Sequence, residues 1–178
     1  MNILLSGHTS GIGKSIFNLF TNKGDIVIGY SRTNNKDLYI EENRINFIND
    51  AKCSDIIILN ANLQYTNVEL LYKIFDVVKG TNKITIVIGS RVTEASRYSV
   101  FPYQIEKLAI EEAAKQLQNV PNGPYISIIR PGYVDTPSVS NISDKKINPD
   151  SIAMLIYDVI QAKLIKDYKI LNILIAPN

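Results

Sequence analysis

A glycine-rich turn joins the first predicted strand of this sequence to its first predicted helix. The turn spans Ser6–Gly13, between the strand candidate Ile3–Ser6 and the helix candidate Gly13–Lys23. Positions without side chains let the backbone turn sharply and bring its N–H groups, with the positive end of the helix, close to a phosphate. An ordinary strand–helix turn also uses glycine, but this context favours a dinucleotide pyrophosphate. The predicted cofactor-binding residues of the turn are Gly7, Thr9, Ser10, Gly11, Ile12 and Gly13.

Short apolar runs alternate with helical stretches along the rest of the chain. Nearly continuous apolar runs are typical of strands that are covered on both faces of a parallel sheet. The predicted strands are Ile3–Ser6, Asp25–Tyr30, Ile45–Ile48, Asp55–Asn60, Ile84–Gly89, Tyr125–Ile129 and Ile170–Ile175. The predicted helices are Gly13–Lys23, Asn67–Lys79, Pro102–Leu117 and Asp150–Lys163. The alternation predicts a single α/β domain over residues 1–178, with a Rossmann-type doubly wound parallel sheet.

One connection in this scheme is short. Only the segment from Asn49 to Ser54 separates the third predicted strand from the fourth. A crossover between parallel strands usually needs about a dozen residues. We therefore expect either a crossover helix reduced to one turn, or third and fourth strands that are not simple neighbours in the sheet.

Composition excludes several classes of function. The net charge of the 178 residues is +2, and the longest basic run is the pair Lys145 and Lys146, which argues against nucleic-acid binding. Cys53 is the only cysteine and His8 the only histidine, so neither a disulfide nor a metal cluster is expected. No apolar run approaches the roughly 18 residues of a membrane span, and the chain starts directly with a strand pattern. A cytoplasmic protein without a membrane segment is expected.

The end of the second predicted strand indicates which dinucleotide is bound. An acidic residue at this point of a dinucleotide site accepts a hydrogen bond from the adenosine ribose of NAD. The segment from Val27 to Arg32 contains no acidic residue, and Ser31 and Arg32 instead suit a 2′-phosphate. A surface arginine after a strand is the alternative interpretation. We predict NADP as the cofactor in preference to NAD.

Five segments, in order along the chain, resemble the motifs of the short-chain dehydrogenase/reductase family. Ser6–Gly13 resembles its Thr-Gly-x-x-x-Gly-x-Gly motif with serine first, and Asn60–Asn62 resembles its Asn-Ala-Gly motif with asparagine last. Ser90 stands where the family has a catalytic serine, thirteen residues before Tyr103–Lys107, which matches Tyr-x-x-x-Lys. Pro131–Thr136 resembles the Pro-Gly segment that lines the nicotinamide. The chain is similar to this family over essentially its whole length, as an unusually short member.

The resemblance implies proton transfer by Tyr103. Free tyrosine has a pKa of about 10, and a lysine one helical turn away, here Lys107, favours the phenolate and lowers that pKa. Tyr103 would act as general acid in carbonyl reduction and as general base in alcohol oxidation. By resemblance, Lys107 also holds the nicotinamide ribose and Ser90 donates a hydrogen bond to the substrate oxygen. Asn67 is either the fourth catalytic residue or a residue near a helix cap. The further cofactor contacts implied are Asn60, Ala61, Tyr103, Lys107, Pro131, Gly132, Val134 and Thr136.

Two hypotheses follow for the function. The first is an NADP-dependent oxidoreductase that transfers a hydride between the nicotinamide and a small carbonyl or alcohol substrate. The second is a non-catalytic NAD(P)-binding protein that acts as a cofactor sensor or regulatory subunit. It is favoured by the short connection between the third and fourth predicted strands and by the short segment Pro137–Asn148, where the resemblance implies a substrate lid. The resemblance also implies a homodimer or homotetramer that associates through the helices at 67–79 and 102–117.

Overall fold

The computed structural model describes residues 1–94, 100–166 and 169–176, and over these residues strands alternate with α-helices. The strands are β1 (Asn2–Ser6), β2 (Ile26–Tyr30), β3 (Ile56–Leu59), β4 (Ile84–Ile88), β5 (Tyr125–Pro131) and β6 (Asn172–Ile175). The helices are α1 (Gly11–Asn22), α2 (Glu41–Cys53), α3 (Thr66–Val78), α4 (Tyr103–Gln118) and α5 (Pro149–Lys166). Apart from one predicted strand, every predicted element is confirmed, with ends that agree within three residues.

The six strands form one parallel sheet in the order β2-β1-β3-β4-β5-β6. Leu4 of β1 pairs with Ile28 of β2 on one side and with Ile57 of β3 on the other. The chain therefore builds outward from β1 to β2 and then crosses back to β3. The point between β1 and β3 is a topological switch point, where ligands bind in open α/β sheets. The predicted Rossmann-type α/β fold is confirmed.

Helices cover both faces of the sheet. Helices α1 and α5 pack together on one face, and α2, α3 and α4 form a row on the other. Alternate residues of β1 enter the two cores: Leu4 lies in the cluster that contains Phe47, whereas Ile3 and Leu5 lie in the cluster that contains Phe20. Both faces of the sheet are thus buried, which explains why its strands are apolar without alternation.

The predicted third strand, Ile45–Ile48, is wrong because this segment lies inside α2. A short apolar run does not by itself distinguish a strand from a buried helix segment. The surrounding residues decide in favour of a helix. Glu41 and Glu42 occupy the first turn, where acidic side chains are stabilised by the helix dipole. Phe47 and Ala51, one helical turn apart, are both fully buried.

The expected shortening of the crossover between the third and fourth strands is therefore also wrong. The connection that enters β3 contains α2, a helix of 13 residues. The part that is missing lies at the edge of the sheet. The usual Rossmann order, 3-2-1-4-5-6, places a further strand outside β2. Among the described residues β2 is the edge strand, and its first residue, Ile26, is 64% exposed.

Candidate functional site

The residues predicted to form the site follow the carboxyl ends of the inner strands. The glycine-rich turn leaves β1, Asn60 follows β3, Ser90 follows β4 by two residues, and Gly132 follows β5. Because these strands are parallel neighbours, the four segments meet along one edge of the sheet. This edge is where open α/β sheets bind their ligands.

Hydrogen bonds hold the glycine-rich turn against the end of β3. The Ser6 hydroxyl oxygen accepts bonds from the backbone N–H groups of Asn60 (2.9 Å) and Ala61 (3.0 Å). In return, the Asn60 side-chain amide donates to the carbonyl oxygens of Ser6 (3.2 Å) and Gly7 (3.1 Å). Ser6 and Asn60 therefore fix the turn across the switch point. The serine that replaces the threonine of the family motif supplies the hydroxyl that this bracing needs.

Two glycines in the turn are required by close approaches. A Cβ on Gly13 would collide with the carbonyl oxygen of Gly7, so α1 packs tightly against the turn that precedes it. Gly11 has a φ of +51°, a conformation that favours glycine, and a Cβ there would lie 2.8 Å from Cγ2 of Thr136. The loop after β5 therefore lies directly against the glycine-rich turn.

The start of α1 is suited to a negatively charged group. Its first turn, which is described throughout, contains no acidic side chain, and Ser10 at the N-cap makes no side-chain capping bond. Thr9 and Ser10 are exposed, whereas the Ile12 side chain is half-buried and packs against the core on the α1 face. The uncapped N–H groups and the helix dipole favour an anion at this position.

Two cationic side chains lie at the end of β2. Ser31 and Thr33 hydroxyls are 2.9 Å apart in a short 3-10 turn, and Arg32 in that turn is exposed. The turn returns the chain so that the Lys36 N–H donates to the Ser31 carbonyl oxygen (3.0 Å) and the Lys36 Nζ lies 4.5 Å from the centre of the Tyr30 ring. The sequence analysis did not find Lys36, because only the geometry of the turn places it beside the strand end.

Ser90, Tyr103 and Lys107 meet at the end of β4. Tyr103 is the first residue of α4, and Lys107 lies one turn later on the same face of the helix. The Ser90 side chain lies close enough to Tyr103 for a hydrogen bond between them to lower the pKa of the tyrosine. The buried Lys107 Nζ donates to the carbonyl oxygen of Ile88 (2.9 Å) and lies 5.8 Å from the centre of the Tyr103 ring. The structure therefore brings together three of the four residues that were predicted to be catalytic.

The expected lowering of the Tyr103 pKa is not found. Burial raises the pKa of Tyr103 above its ordinary value of 10.0, the hydrogen bond with Ser90 opposes this, and the carboxylates of Glu111 and Glu106 raise it further. Burial also lowers the pKa of Lys107 to about 8, which Glu111 and Glu106 counteract. The prediction was wrong because it considered only the ammonium of Lys107 and neither desolvation nor the two carboxylates. Tyr103 is protonated at neutral pH.

A buried glutamate on α4 was missed by the sequence analysis. Glu111 is 2% exposed and accepts hydrogen bonds from the Ser90 backbone N–H (2.8 Å) and the Thr93 hydroxyl (2.9 Å). Its position could have been read from the spacing, because Tyr103, Lys107 and Glu111 recur at intervals of four residues on one face of the helix. A charged residue that continues this face is a candidate for a role in the site.

Asn67 is the second residue of α3 and only 5% exposed. Its side-chain amide donates to the carbonyl oxygen of Ala61 (3.0 Å), which ties the start of α3 to the segment after β3. Its side-chain oxygen is buried and has no hydrogen-bond partner in the described part of the chain. Asn67 does not occupy the N-cap position of α3, which Tyr65 holds.

The segment after β5 is anchored at both ends. The Gly132 N–H donates to the carbonyl oxygen of Ile175 in β6 (2.8 Å), and the buried Val134 forms an isolated bridge with Ile147. Pro131, the last residue of β5, is also buried. Most residues of the segment 137–148 between these anchors are exposed. This is the short segment where a substrate lid was expected.

The described residues contain no group of His, Cys, Asp or Glu side chains that could hold a metal ion. None of the helices in residues 1–94, 100–166 and 169–176 is long and apolar enough to cross a membrane. Two clefts, of about 450 and 370 Å³, lie at the opposite edge of the sheet, near Lys83 and Pro124 at the starts of β4 and β5. They contain none of the residues predicted for the site.

Comparison with solved structures gives the fold. A short-chain dehydrogenase from Streptomyces avermitilis superposes with a TM-score of 0.80 at 16% identity, over 98% of this chain and 87% of that chain. A short-chain dehydrogenase from Burkholderia cenocepacia J2315 in complex with NADP gives 0.75 at 15% identity, over 99% and 88%. The 3-alpha-hydroxysteroid dehydrogenase from Pseudomonas sp. B-0831, complexed with NADH, gives 0.73 at 17% identity, over 98% and 95%. No family model and no curated protein matches the sequence. The chain has the fold of the short-chain dehydrogenases/reductases.

Proposed function

We propose that this chain is an NADP-dependent short-chain oxidoreductase, in which Tyr103 exchanges a proton with the oxygen of a carbonyl or alcohol substrate. The observation that carries the proposal is the meeting of Ser90, Tyr103 and Lys107 at the end of β4. This group lies on the same edge of the sheet as the glycine-rich turn. A protein that only binds a dinucleotide has no need for a proton donor beside a buried ammonium. Proteins of the same fold hold NADH or NADP.

The residues around α1 fit a dinucleotide. Because Gly13 has no Cβ, the glycine-rich turn can pack closely against the start of α1. The first helical turn of α1 has no acidic side chain. The exposed Thr9 and Ser10 are available as hydroxyl donors. These features together provide N–H groups, hydroxyls and a positive helix end for a pyrophosphate. When bound, the nicotinamide supplies the hydride.

The proton chemistry can be assigned to side chains of this chain. A substrate carbonyl oxygen that accepts hydrogen bonds from Ser90 and Tyr103 is polarised as it gains charge. Tyr103 then gives its proton to the developing alkoxide and becomes a phenolate, which the ammonium of Lys107 favours. Because the raised pKa of Tyr103 makes its phenolate scarcer at neutral pH, we infer that the residue is ready to donate a proton in carbonyl reduction, whereas alcohol oxidation must first form the phenolate.

The preference for NADP is based on the end of β2. The exposed Arg32 and the neighbouring Lys36 place two cations there, next to the hydroxyls of Ser31 and Thr33. A 2′-phosphate is a doubly charged acceptor that suits this combination, whereas the ribose hydroxyl of NAD needs a carboxylate acceptor. The residues from β2 to the end of this turn, 26–34, contain no carboxylate.

Asn67 is proposed to support the site from the start of α3. Its amide holds the carbonyl oxygen of Ala61, and its own buried side-chain oxygen is left to accept a further donor. A buried acceptor without a partner costs about 1–3 kcal/mol, so a bound water or a ligand donor would be stabilised there. This is the observation that favours a role for Asn67 beyond that of a helix start.

Turnover tests the proposed role of Tyr103. Purified protein is mixed with NADPH and, in turn, each member of a panel of small aldehydes and ketones. The loss of NADPH absorbance measures the rate of oxidation. Tyr103→Phe is expected to lower kcat by about 100-fold or more, because general acid catalysis commonly contributes that much. The matched control is Tyr39→Phe, which removes a hydroxyl from an exposed tyrosine far from α4 in the sequence. Equal turnover by the wild type and Tyr103→Phe would sink the mechanism.

Cofactor titrations test the role of Arg32. Arg32→Ala is expected to weaken NADPH binding by about tenfold and to leave NADH binding nearly unchanged, because only NADPH carries the 2′-phosphate. Lys36→Ala is expected to act in the same direction. Arg91→Ala, which removes an exposed arginine after β4, serves as the control. Equal losses of affinity for NADPH and NADH would show that Arg32 does not bind the 2′-phosphate.

Non-catalytic binding is the second candidate function. It is favoured by the edge position of β2 and by the exposed, short segment 137–148, which leaves little chain to close over a substrate. A sensor or regulatory subunit would bind NADPH in the wild type and in Tyr103→Phe with equal affinity. It would also oxidise NADPH with no member of the carbonyl panel. That pair of results would favour this function over the enzyme.

Association into a homodimer or homotetramer is proposed through α3 and α4. These helices pack against each other and expose apolar side chains, among them Tyr72 (38%), Ile105 (56%) and Leu108 (38%). Light scattering after size exclusion measures the mass. Ile105→Glu is expected to convert the oligomer to a monomer, whereas Met154→Glu on the exposed face of α5 is expected to leave the mass unchanged. A monomeric wild type at micromolar concentration would rule this proposal out.

A further inference from the structure

Glu111 binds the backbone directly before the 3-10 turn that follows β4. One carboxylate oxygen, Oε1, accepts the Ser90 N–H at 2.8 Å, and the other, Oε2, lies 2.9 Å from the Thr93 hydroxyl. The same Thr93 hydroxyl is 2.8 Å from the Ser90 carbonyl oxygen. Glu111 is 2% exposed, so these bonds are made away from water. The Ser90 N–H is therefore held by Oε1 of Glu111, whereas the single proton of the Thr93 hydroxyl is shared between Oε2 and the Ser90 carbonyl oxygen.

The sequence before Ser90 leaves room for this contact. A Cβ on Gly89 would collide with Oε1 of Glu111 and contact its Cδ at 2.9 Å. The Gly89 N–H remains in the sheet and donates to the Ile129 carbonyl oxygen (2.9 Å). The chain thus stays fixed to β5 at position 89 and to α4 at position 90. The Ser90 side chain is therefore attached to a backbone segment that both β5 and α4 hold in place.

We propose that Glu111 is a positioning residue for Ser90: its carboxylate fixes the Ser90 backbone so that the serine hydroxyl is aimed at Tyr103. The inference rests on the proposed function, and it adds a residue to which no role in the site has been assigned. Burying a carboxylate costs free energy of folding unless the group is fully hydrogen-bonded. If position 111 served only the packing of α4, an apolar side chain there would stabilise the fold more. The two hydrogen bonds at the Ser90 loop and the nearby ammonium of Lys107 offset the cost of burying this carboxylate.

Kinetics of matched variants test the proposal. Glu111→Ala is expected to lower kcat by about 10- to 100-fold, because a displacement of about 1 Å in a reacting group has an effect of that size. Glu111→Gln keeps an oxygen for the Ser90 N–H and is expected to restore most of that loss. The dissociation constant of NADPH should change by less than about twofold in both variants. The control Glu112→Ala removes the neighbouring, exposed glutamate, which pairs with Lys115.

A second measurement does not depend on turnover. Hydrogen exchange followed by NMR is expected to show loss of protection at the Ser90 amide in Glu111→Ala, with protection kept in Glu111→Gln. The Gly89 amide, bonded to β5, should stay protected in both and serves as the internal reference. If Glu111→Ala does not fold, Thr93→Val removes the other hydrogen bond to the carboxylate and is measured in its place, with a smaller loss of protection expected.

The pKa of Tyr103 in the two Glu111 variants distinguishes the loss of Ser90 positioning from the mere loss of the Glu111 charge. Removing the Glu111 charge lowers this pKa in both variants, but only Glu111→Ala also disturbs the Ser90 hydrogen bond that opposes the rise. The pKa of Tyr103, read from its ring resonances, is therefore expected to be higher in Glu111→Ala than in Glu111→Gln. Equal Tyr103 pKa values, or an unchanged Ser90 amide, would overturn the proposal. A wild type without turnover would refute the proposed function, while these two readouts still decide on Glu111.

Discussion

Replacing Lys107 by methionine tests the electrostatics at the centre of the candidate site. The side chain is 5% exposed, and burial lowers its pKa from 10.5 to about 8. Methionine has nearly the same length but carries no charge. The substitution therefore removes the titrating group and leaves the packing of α4 against β4 largely as it is. The quantity of interest is the way in which the free energy of unfolding depends on pH.

The sign and size of the effect follow from the two pKa values. Between pH 8 and 10.5 the unfolded chain holds a proton at Lys107 that the folded chain has lost. Stability contributed by this residue therefore rises with pH across that window, by about 1.4 kcal/mol per pH unit. The two values differ by 2.5, so the whole window corresponds to about 3 kcal/mol. Below pH 8 the contribution is constant.

Urea unfolding at a series of pH values measures this directly. The difference in the free energy of unfolding between wild type and Lys107→Met is expected to be flat from about pH 6.5 to 7.5, and then to shift by about 3 kcal/mol in favour of the wild type by about pH 10.5. Lys115→Met removes an exposed lysine from the same helix and is the control. Parallel curves for wild type and Lys107→Met throughout would refute the reasoning.

Three further outcomes are expected. Gly13→Ala forces a Cβ against the Gly7 carbonyl oxygen, so it should destabilise the protein by about 2–3 kcal/mol in urea and weaken NADPH binding; unchanged values for both would contradict the close packing. Tyr30→Phe removes the hydroxyl that donates to Asp50 (2.7 Å) and should cost about 1–2 kcal/mol of unfolding free energy, whereas a neutral effect would show that bond to be dispensable. Because the pKa of Tyr103 is raised, alcohol oxidation should accelerate between about pH 6 and 8 while carbonyl reduction stays flat, and identical initial-rate profiles in the two directions would argue against Tyr103 as the proton carrier.

Local patterns predicted the fold wherever one signal was sufficient. The strands are long enough and apolar enough to be recognised, and the turn at Ser6–Gly13 combines a strand end, glycines and a helix start in eight residues. The segment Ile45–Ile48 failed because four residues with three apolar side chains fit either period. The acidic pair at 41 and 42, which marks the first turn of α2, was the information that could have corrected it.

The sequence predicted those residues of the candidate site that belong to recognisable motifs. Ser90, Tyr103 and Lys107 were found from their order and spacing, and the structure brings them together. Lys36 was not found, because its place depends on a turn that returns to Tyr30. The four-residue spacing put Glu111 on the face of Tyr103 and Lys107, but its contact with the Ser90 N–H is visible only in the structure. The direction in which the Tyr103 pKa shifts depends mainly on burial, and the spacing of residues in the sequence does not predict burial of this kind.

The edge position of β2 has a consequence for how the length of such a chain can vary. The segments of the candidate site other than α4 follow β1, β3, β4 and β5, each of which has a strand on both sides. Segments can be added or removed outside β2 without changing the neighbours of any of these four strands. The exposed turn at 32–35 is therefore the point at which we expect an inserted peptide to be accepted with the fold intact. A change of length at this edge would therefore alter the turn that holds Arg32, and with it the proposed preference for NADP, while the neighbours of the inner strands stay the same.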